Sequence, residues 1–342
     1  MKISILTVTY GDRFKYLQQV LDRCASESRQ DKRLFEIIIV DNNSSSSQNI
    51  SKFIENNRDV NTKHITLKEN KGSAGGFSAG LEYFLTTKSD YVLLLDDDNV
   101  PESNFIKYFT SALFLFPKKD RQKIILSGRR SAYTDIRFFY GKYIPNSQKS
   151  LFGFNMFNYK VVLSLIKKHI FNESKKLQSK KFIPICIQNG FAYGGAFLSK
   201  EIISLAGLPL KEFFTYADDV EWSNRIKTIG GGTSYSLFHP YIEDVDINNR
   251  EGGFLAPFSK NNDPFRVFLN FRNNTYNIIH INQANKAFFL ANTFIILLVM
   301  NLFYIFKKGI NMHLIQRNRL IIKSIKRGII KNFDIPEHIG MP

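Results

Sequence analysis

Three consecutive carboxylates, Asp96, Asp97 and Asp98, follow an apolar run in YVLLLDDDNVPE (91–102). Like charges side by side repel, more so when partly desolvated, so a positive partner is expected there. In an extended segment alternate side chains share a side, which puts Asp96 and Asp98 together and Asp97 opposite. Two hard oxygen donors of this kind suit Mg²⁺ or Mn²⁺, and such a cation neutralises a diphosphate. An isolated acidic triplet reads more simply as a solvated loop or a helix cap. The strand before it and the motifs elsewhere in the chain favour the cation.

A second acidic group, Asp218, Asp219 and Glu221, lies in FFTYADDVEWSNRI (213–226). These acids open a helical pattern, where the macrodipole favours negative charge. Taken as chemistry, one of them is a general base for an attacking hydroxyl. His239 follows twenty residues after Asp219, in YSLFHPY (235–241). A lone histidine is usually structural, yet one histidine with two aspartates is a reasonable set for a borderline metal. Gly72, Gly75 and Gly76 in ENKGSAGGFSAGLEY (69–83) allow close backbone approach just before a helix, a phosphate or sugar contact. Their spacing matches neither a P-loop nor a dinucleotide fingerprint, and a tight turn is the plain reading. Arg272, in NFRNNTYN (270–277), offers either a diphosphate partner or a surface charge.

Positioning such groups requires a scaffold, and the first hundred residues supply its pattern. Strand-like ISILTVTY, LFEIIIVD, HITL and YVLLLD alternate with helical FKYLQQVLDRCASE, SQNISKFIENN and GGFSAGLEYFLTT. Strands that are apolar throughout and alternate with helices predict a parallel sheet covered on both faces. Ligands in such sheets bind beyond the carboxyl ends of the strands, which is where Asp41 and the Asp96 triplet fall. The pattern blurs over 131–180, which is rich in Phe, Tyr and Lys, and resumes from FIPICIQNGFAYGGAFLSKEII (182–203). No internal repeat interrupts it.

A chain of 342 residues with 44% hydrophobic content can bury a real core. The two cysteines, Cys24 and Cys186, and the lack of a signal-like N-terminus suit a reducing, cytoplasmic setting. The net charge of +17 is uneven. Residues 160–181 hold seven Lys against one Glu, and 276–342 hold nine Lys or Arg against two acids. Concentrated positive charge points to an anionic surface. AFFLANTFIILLVMNLFYIF (287–306) is about long enough to span a bilayer. Its Asn residues and the basic amphipathic RNRLIIKSIKRGIIKNF (317–333) favour a helix lying in the plane of a membrane. A buried core or dimer helix is the alternative.

In order along the chain, TVTYGDR, VDNNSS, NKGSAGGFSAG, LLLDDDN, GGAFLSKE, DDVEWSNRIKTIGG and HP resemble glycosyltransferase family 2 over residues 1 to about 275. GSAGGF and DDVEW look most like its bacterial galactofuranosyltransferase and rhamnosyltransferase branch. The resemblance implies an inverting enzyme of the GT-A fold, an α/β architecture with a Rossmann-like, mostly parallel central sheet flanked by helices. It implies Asp96, Asp98 and His239 as ligands of Mn²⁺ or Mg²⁺, and Asp219 as base with Asp218 and Glu221 in support. Thr9, Tyr10, Asp41, Gly75, Gly76, Asp97 and Arg272 fall to donor binding, and Gly194, Gly195 and Trp222 to acceptor binding.

The expected organisation is a nucleotide-sugar-binding half (1–130), a basic, aromatic insertion (131–180) and a catalytic, acceptor-binding half (181–275). A basic helical extension (276–342) follows, for membrane docking or oligomerisation. The expected donor is UDP-galactofuranose, with dTDP-rhamnose second. The expected acceptor is a glycan or a polyprenyl-diphosphate-linked glycan on the inner face of the cell membrane. A nucleotidyltransferase would want a Gly-rich basic loop after the first strand, where TVTYGDR has one glycine and one arginine. A nucleic-acid-binding protein would not need acids clustered at strand ends.

Overall fold

The computed structural model describes residues 1–130, 136–140, 182–246, 255–336 and 339. Most of the 131–180 insertion lies outside the described residues. By its contacts the chain divides into two compact units, one built from residues 1–142, 181–214 and 218–248, the other from 143–180, 215–217 and 249–342.

The first unit opens with β1 (Ile3–Thr9), α1 (Phe14–Gln30), β2 (Leu34–Asp41), α2 (Ser47–Asn56), β3 (Thr62–Thr66) and α3 (Gly72–Thr86). It continues through β4 (Tyr91–Asp96), the short β5 (Asn99–Pro101), α4 (Phe105–Phe114) and β6 (Ile124–Arg130). After the insertion come β7 (Ile185–Gln188), β8 (Ala196–Ser199), α5 (Lys200–Ala206), α6 (Asp218–Thr228) and β9 (Thr233–Asp244). The described strands form one sheet in the order β3-β2-β1-β4-β8-β6-β9-β5, with β7 also on β9.

The first four strands in sequence are parallel, as the apolar runs and the strand–helix alternation predict. Beyond β4 the sheet is mixed, because β8 runs antiparallel to both β4 and β6 while β6 and β9 are parallel. Side chains alternate across the sheet. Ile3, Ile5, Ile37, Ile39, Leu93 and Leu95 enter one core with α1, α2 and α4. Leu6, Val8, Ile38, Val40, Val92 and Leu94 enter the other with α3, α5 and α6. Burying a branched aliphatic side chain contributes roughly 1.5–3 kcal/mol, so both faces hold the sheet firmly. Register then fixes the site: Thr9 lies beside Asp41, and Val8 beside Asp96. Three strands therefore end level.

In its described residues the second unit is mainly helical. Its α7 (Pro264–Tyr276), α8 (Lys286–Lys308) and α9 (Met312–Ile329) bury Val267, Phe271, Phe289, Ile296, Met300, Ile321 and Ile325 together. It takes in α7 as well as the expected extension, so it starts upstream of residue 276.

Candidate active site

The acidic triplet lies at the carboxyl end of β4, next to that of β1, and the positive partners beside it are two arginines. Arg13, just past β1, donates through Nε to both Asp97 oxygens at 2.9 and 3.0 Å, and through Nη2 to Asp98 at 3.3 Å. Its Nη1 reaches Asp246 at 2.6 Å, and Thr9 Oγ1 donates to Asp97 at 2.9 Å. Burial works against charge on Arg13, but Asp97 and Asp246 outweigh it and hold the guanidinium more firmly protonated than usual. Burial also pushes Asp97 up to about 7, against the pull of Arg13 and Thr9.

Arg130, at the end of β6, binds Asp96 Oδ2 at 3.2 Å and Asp244 Oδ1 at 3.0 Å. Asn99 bridges the same group. Its amide donates to Asp98 at 3.1 Å and Asp244 at 3.0 Å, and its carbonyl accepts from the Asp96 backbone at 3.2 Å. Burial and then Asp96 raise the pKa of Asp98. Gly194 is needed here. A Cβ there would stand 2.0 Å from Asn99 Oδ1, 2.5 Å from Arg130 Nη1 and 2.7 Å from Asp96 Oδ2.

Asp218 and Asp219 open α6, both raised by burial. Their surroundings differ. Asp219 feels Asp96, which raises its pKa further, and Arg130, which lowers it. Asp218 accepts from Ser73 Oγ at 2.9 Å, and the buried Tyr193 hydroxyl feels both acids. Asp219 thus belongs with the Asp96–Arg130 group, while Asp218 belongs with α3.

Several expected roles change. His239 does not join Asp96 and Asp98: it is exposed, its Nδ1 lies 2.6 Å from Glu102 and its ring stacks on Tyr108. β9 runs five residues further, to Asp244 opposite Asn99, so at about 3.3 Å per residue His239 stands roughly 16 Å back along the strand. The β9 residue that reaches Arg130 and Asn99 is Asp244. Trp222 has no exposed surface, packs among core residues and donates Nε1 to Gly207 O at 2.7 Å, so it is no acceptor contact. Glu221 holds Arg225 through two bonds of 2.6 and 2.8 Å, a structural pair one helical turn apart. Gly76 is buried against β1, where a Cβ would meet Val8 Cγ1 at 2.4 Å. Gly75 is buried within α3. Gly195, at φ +89°, makes the turn that brings its N–H to Leu94 O at 2.7 Å. Arg272 lies in the helical unit, fully buried, donating to Phe333 O at 2.6 Å and Asn273 Oδ1 at 2.8 Å. Buried away from water, its pKa falls to about 10.

On the donor side, Tyr10 is exposed beside Arg13. Asp41 is fully buried; Oδ1 accepts from the Ser44 N–H at 2.7 Å, while Oδ2 lacks a hydrogen-bond partner. Asn42, which sequence reasoning passed over, ties β2 to the glycine loop by donating to Gly72 O at 3.0 Å and accepting from Lys71 N at 2.8 Å. Arg13 and Arg130 were passed over too, since single arginines in loop-like sequence carry no periodic signal.

Among the described residues, no three His, Cys, Asp or Glu side chains converge as a metal cage. Asp96 and Asp98 nevertheless have the right donor chemistry for a cation held by one or two carboxylates and completed by phosphate oxygens and water.

The model of glycosyl transferase family 2 matches residues 4–189, more than half of the chain. The chain belongs to glycosyl transferase family 2. Its match ends before the Asp218–Asp219 pair, so family membership rests on the β1–β7 portion. No curated protein matches the sequence significantly. Solved structures sharing the family 2 fold include residues 1–349 of TarS from S. aureus, at 14% identity and TM-score 0.50, covering 99% of this chain and 82% of that one. GalNAc-T7, crystallised with UDP, GalNAc and Mn²⁺, aligns at 13% identity and TM-score 0.51 over 71% of this chain and 44% of its own. The chain spans half the length of full TarS. Identities this low establish a shared architecture. The mixed sheet with flanking helices is therefore the fold of this glycosyltransferase family, and the family's role is glycosyl transfer.

Proposed function

We propose that the chain is an inverting glycosyltransferase that moves a sugar from a nucleotide-diphospho-sugar to an acceptor hydroxyl. The observation that carries this reading is the position of Asp219, half-buried at the start of α6 and electrostatically in touch with Asp96 and Arg130. A base whose pKa is lifted towards neutrality is suited to take a proton from a sugar hydroxyl at physiological pH. Attack from one side by a hydroxyl so activated inverts the anomeric centre without a covalent intermediate, as water does in inverting glycosidases. Asp96 and Asp98 would hold Mn²⁺ or Mg²⁺, and the cation when bound supplies Lewis-acid stabilisation of the leaving diphosphate. Arg130 restrains Asp96, Arg13 restrains Asp97 and Asp98, and Gly194 keeps the floor of the group open.

The nucleotide end of the donor is assigned to Thr9, Tyr10 and Asp41, at the carboxyl ends of β1 and β2. UDP-galactofuranose is the favoured donor and dTDP-rhamnose the alternative, both on branch resemblance. The acceptor is read as a glycan, free or on a polyprenyl diphosphate, in bacterial cell-surface polysaccharide synthesis.

A cytoplasmic enzyme docked on the inner membrane face accounts for the basic end of the chain. Helix α8, with 23 residues, is long and apolar enough to cross a membrane. One stripe along it, Phe289, Thr293, Ile296, Met300 and Tyr304, is buried in the helical unit, whereas Phe288, Phe294, Leu302, Phe303 and Phe306 are exposed. A helix packed along its whole length on one side and greasy on the other suits lying in an interface. Basic residues there contribute on the order of 1 kcal/mol each at an anionic surface. A second copy of the chain on the same face is the competing occupant.

The test is turnover of a panel of UDP-, dTDP- and GDP-sugars with and without Mn²⁺. Metal-stimulated consumption of one donor names the sugar; no binding of any nucleotide sugar contradicts the reading.

A further inference from the structure

We infer that Ser73 is a positioning residue for the catalytic acids, and that the glycine loop exists in part to seat it. This inference rests on the assignment of Asp219 as base. The glycines of NKGSAGG read from sequence as a ligand contact, but the structure turns the first turn of α3 towards the chain ahead of Asp218. Gly72 has φ +67°, and a Cβ there would fall 2.0 Å from Phe214 O. The Ala74 N–H donates to that same carbonyl at 3.0 Å. Ser73 Oγ then donates to Asp218 Oδ2 at 2.9 Å.

The chain from Phe214 to Ala217 is conformationally unusual. Phe214, Tyr216 and Ala217 all have positive φ, at 62°, 66° and 58°. Non-glycine residues adopt this region only where the surroundings over-determine it, and such positions cluster at functional sites. Asp218 is buried beside the half-buried Asp219, the two adjacent carboxylates repel, and the buried Tyr193 hydroxyl feels both. Glu221 is taken up by Arg225. Ser73 therefore supplies a neutral donor that holds the Asp218 carboxylate on the α3 side. Asp219, whose Oδ1 accepts from the Val220 N–H at 2.8 Å, feels the charges of Asp96 and Arg130. Ser73 touches neither donor nor acceptor in this account; it acts through Asp218.

Ser73→Ala and Ser73→Thr are compared with the wild-type full chain in the donor-turnover assay, and the carboxylates are followed by pH titration of ¹³Cγ-aspartate-labelled protein. Asp218→Asn identifies the Asp218 resonance. The expected result is a kcat for Ser73→Ala about tenfold lower, the size of a lost hydrogen bond to a charged group, with donor KM and melting temperature unchanged. Asp218 then titrates at higher pH, because the hydroxyl stabilises its ionised form, and Ser73→Thr restores both properties. Unchanged kcat and an unchanged Asp218 titration in Ser73→Ala would overturn the inference. If wild type consumes no nucleotide sugar, the transferase reading fails alone, and the titration still decides the role of Ser73.

Discussion

At the scale of residues, the site is a contest between carboxylate repulsion and two arginines. The positions of Asp96 and Asp98 at and just past a strand end and of Asp219 at a helix start were legible from local pattern; their roles belong to the proposal. Arg13 and Arg130 were not legible. Their partners lie 84 and 34 residues away, and nothing in GDR or GRR announces an ion pair. His239 was misplaced for a related reason. The strand containing it continues past His-Pro to Asp244, a length no turn signal reveals. Two outcomes follow at this scale. The proposed base role requires Asp219 ionised, so it predicts that kcat/KM falls as pH drops through its pKa. Because burial raises that pKa, the fall comes at higher pH than the value of about 3.9 for a free aspartate; a pH–rate profile checks this. Gly194→Ala drives a methyl into Asn99, Arg130 and Asp96 and should cut turnover at least tenfold, the scale of a misplaced catalytic group, while circular dichroism stays native.

At the scale of elements, α3 shows how far a motif read for chemistry can serve packing. A Cβ at Gly76 would meet Val8 Cγ1 at 2.4 Å, and one at Gly80 would meet Leu6 Cδ1 at 2.2 Å. The helix lies so close to β1 that two of its glycines are steric requirements. The sequence spacing of four residues is helical, and it marked the buried face of α3 rather than a ligand. Overpacking a tight core typically costs about 1–3 kcal/mol. Gly80→Ala should therefore lower the urea unfolding free energy by that amount, measured against a surface control such as Ser47→Ala. The parallel pairing of β1, β2 and β4 was foreseeable from their unbroken apolar runs, and that of β3 from the strand–helix alternation. The antiparallel entry of β8 between β4 and β6 was not, because β8 is four residues long and its pairing is set by tertiary packing.

At the scale of the whole molecule, exposed apolar surface lies along α8, within a stretch (276–342) that carries nine Lys or Arg against two acids. The +17 excess and the exposed phenylalanines of α8 were both visible in composition. That one stripe of α8 is buried needed the helical unit around it. Membrane docking through this face predicts that the full chain cosediments with vesicles containing anionic lipid, and less so at high salt. Phe294→Glu with Phe303→Glu should abolish cosedimentation without changing the melting temperature. Retained vesicle binding, or conversion of a dimer to monomer by the same pair, would assign the face to another partner.

The central claim is that Asp219 is the base of a glycosyl transfer. The most direct measurement compares wild type and Asp219→Asn for turnover of the active nucleotide sugar, and for binding of the same donor by calorimetry. The account predicts turnover lower by about 10²–10⁴-fold, the usual contribution of general-base catalysis, with donor affinity nearly unchanged. Turnover close to wild type, or a loss of donor affinity equal to the loss of rate, would contradict it.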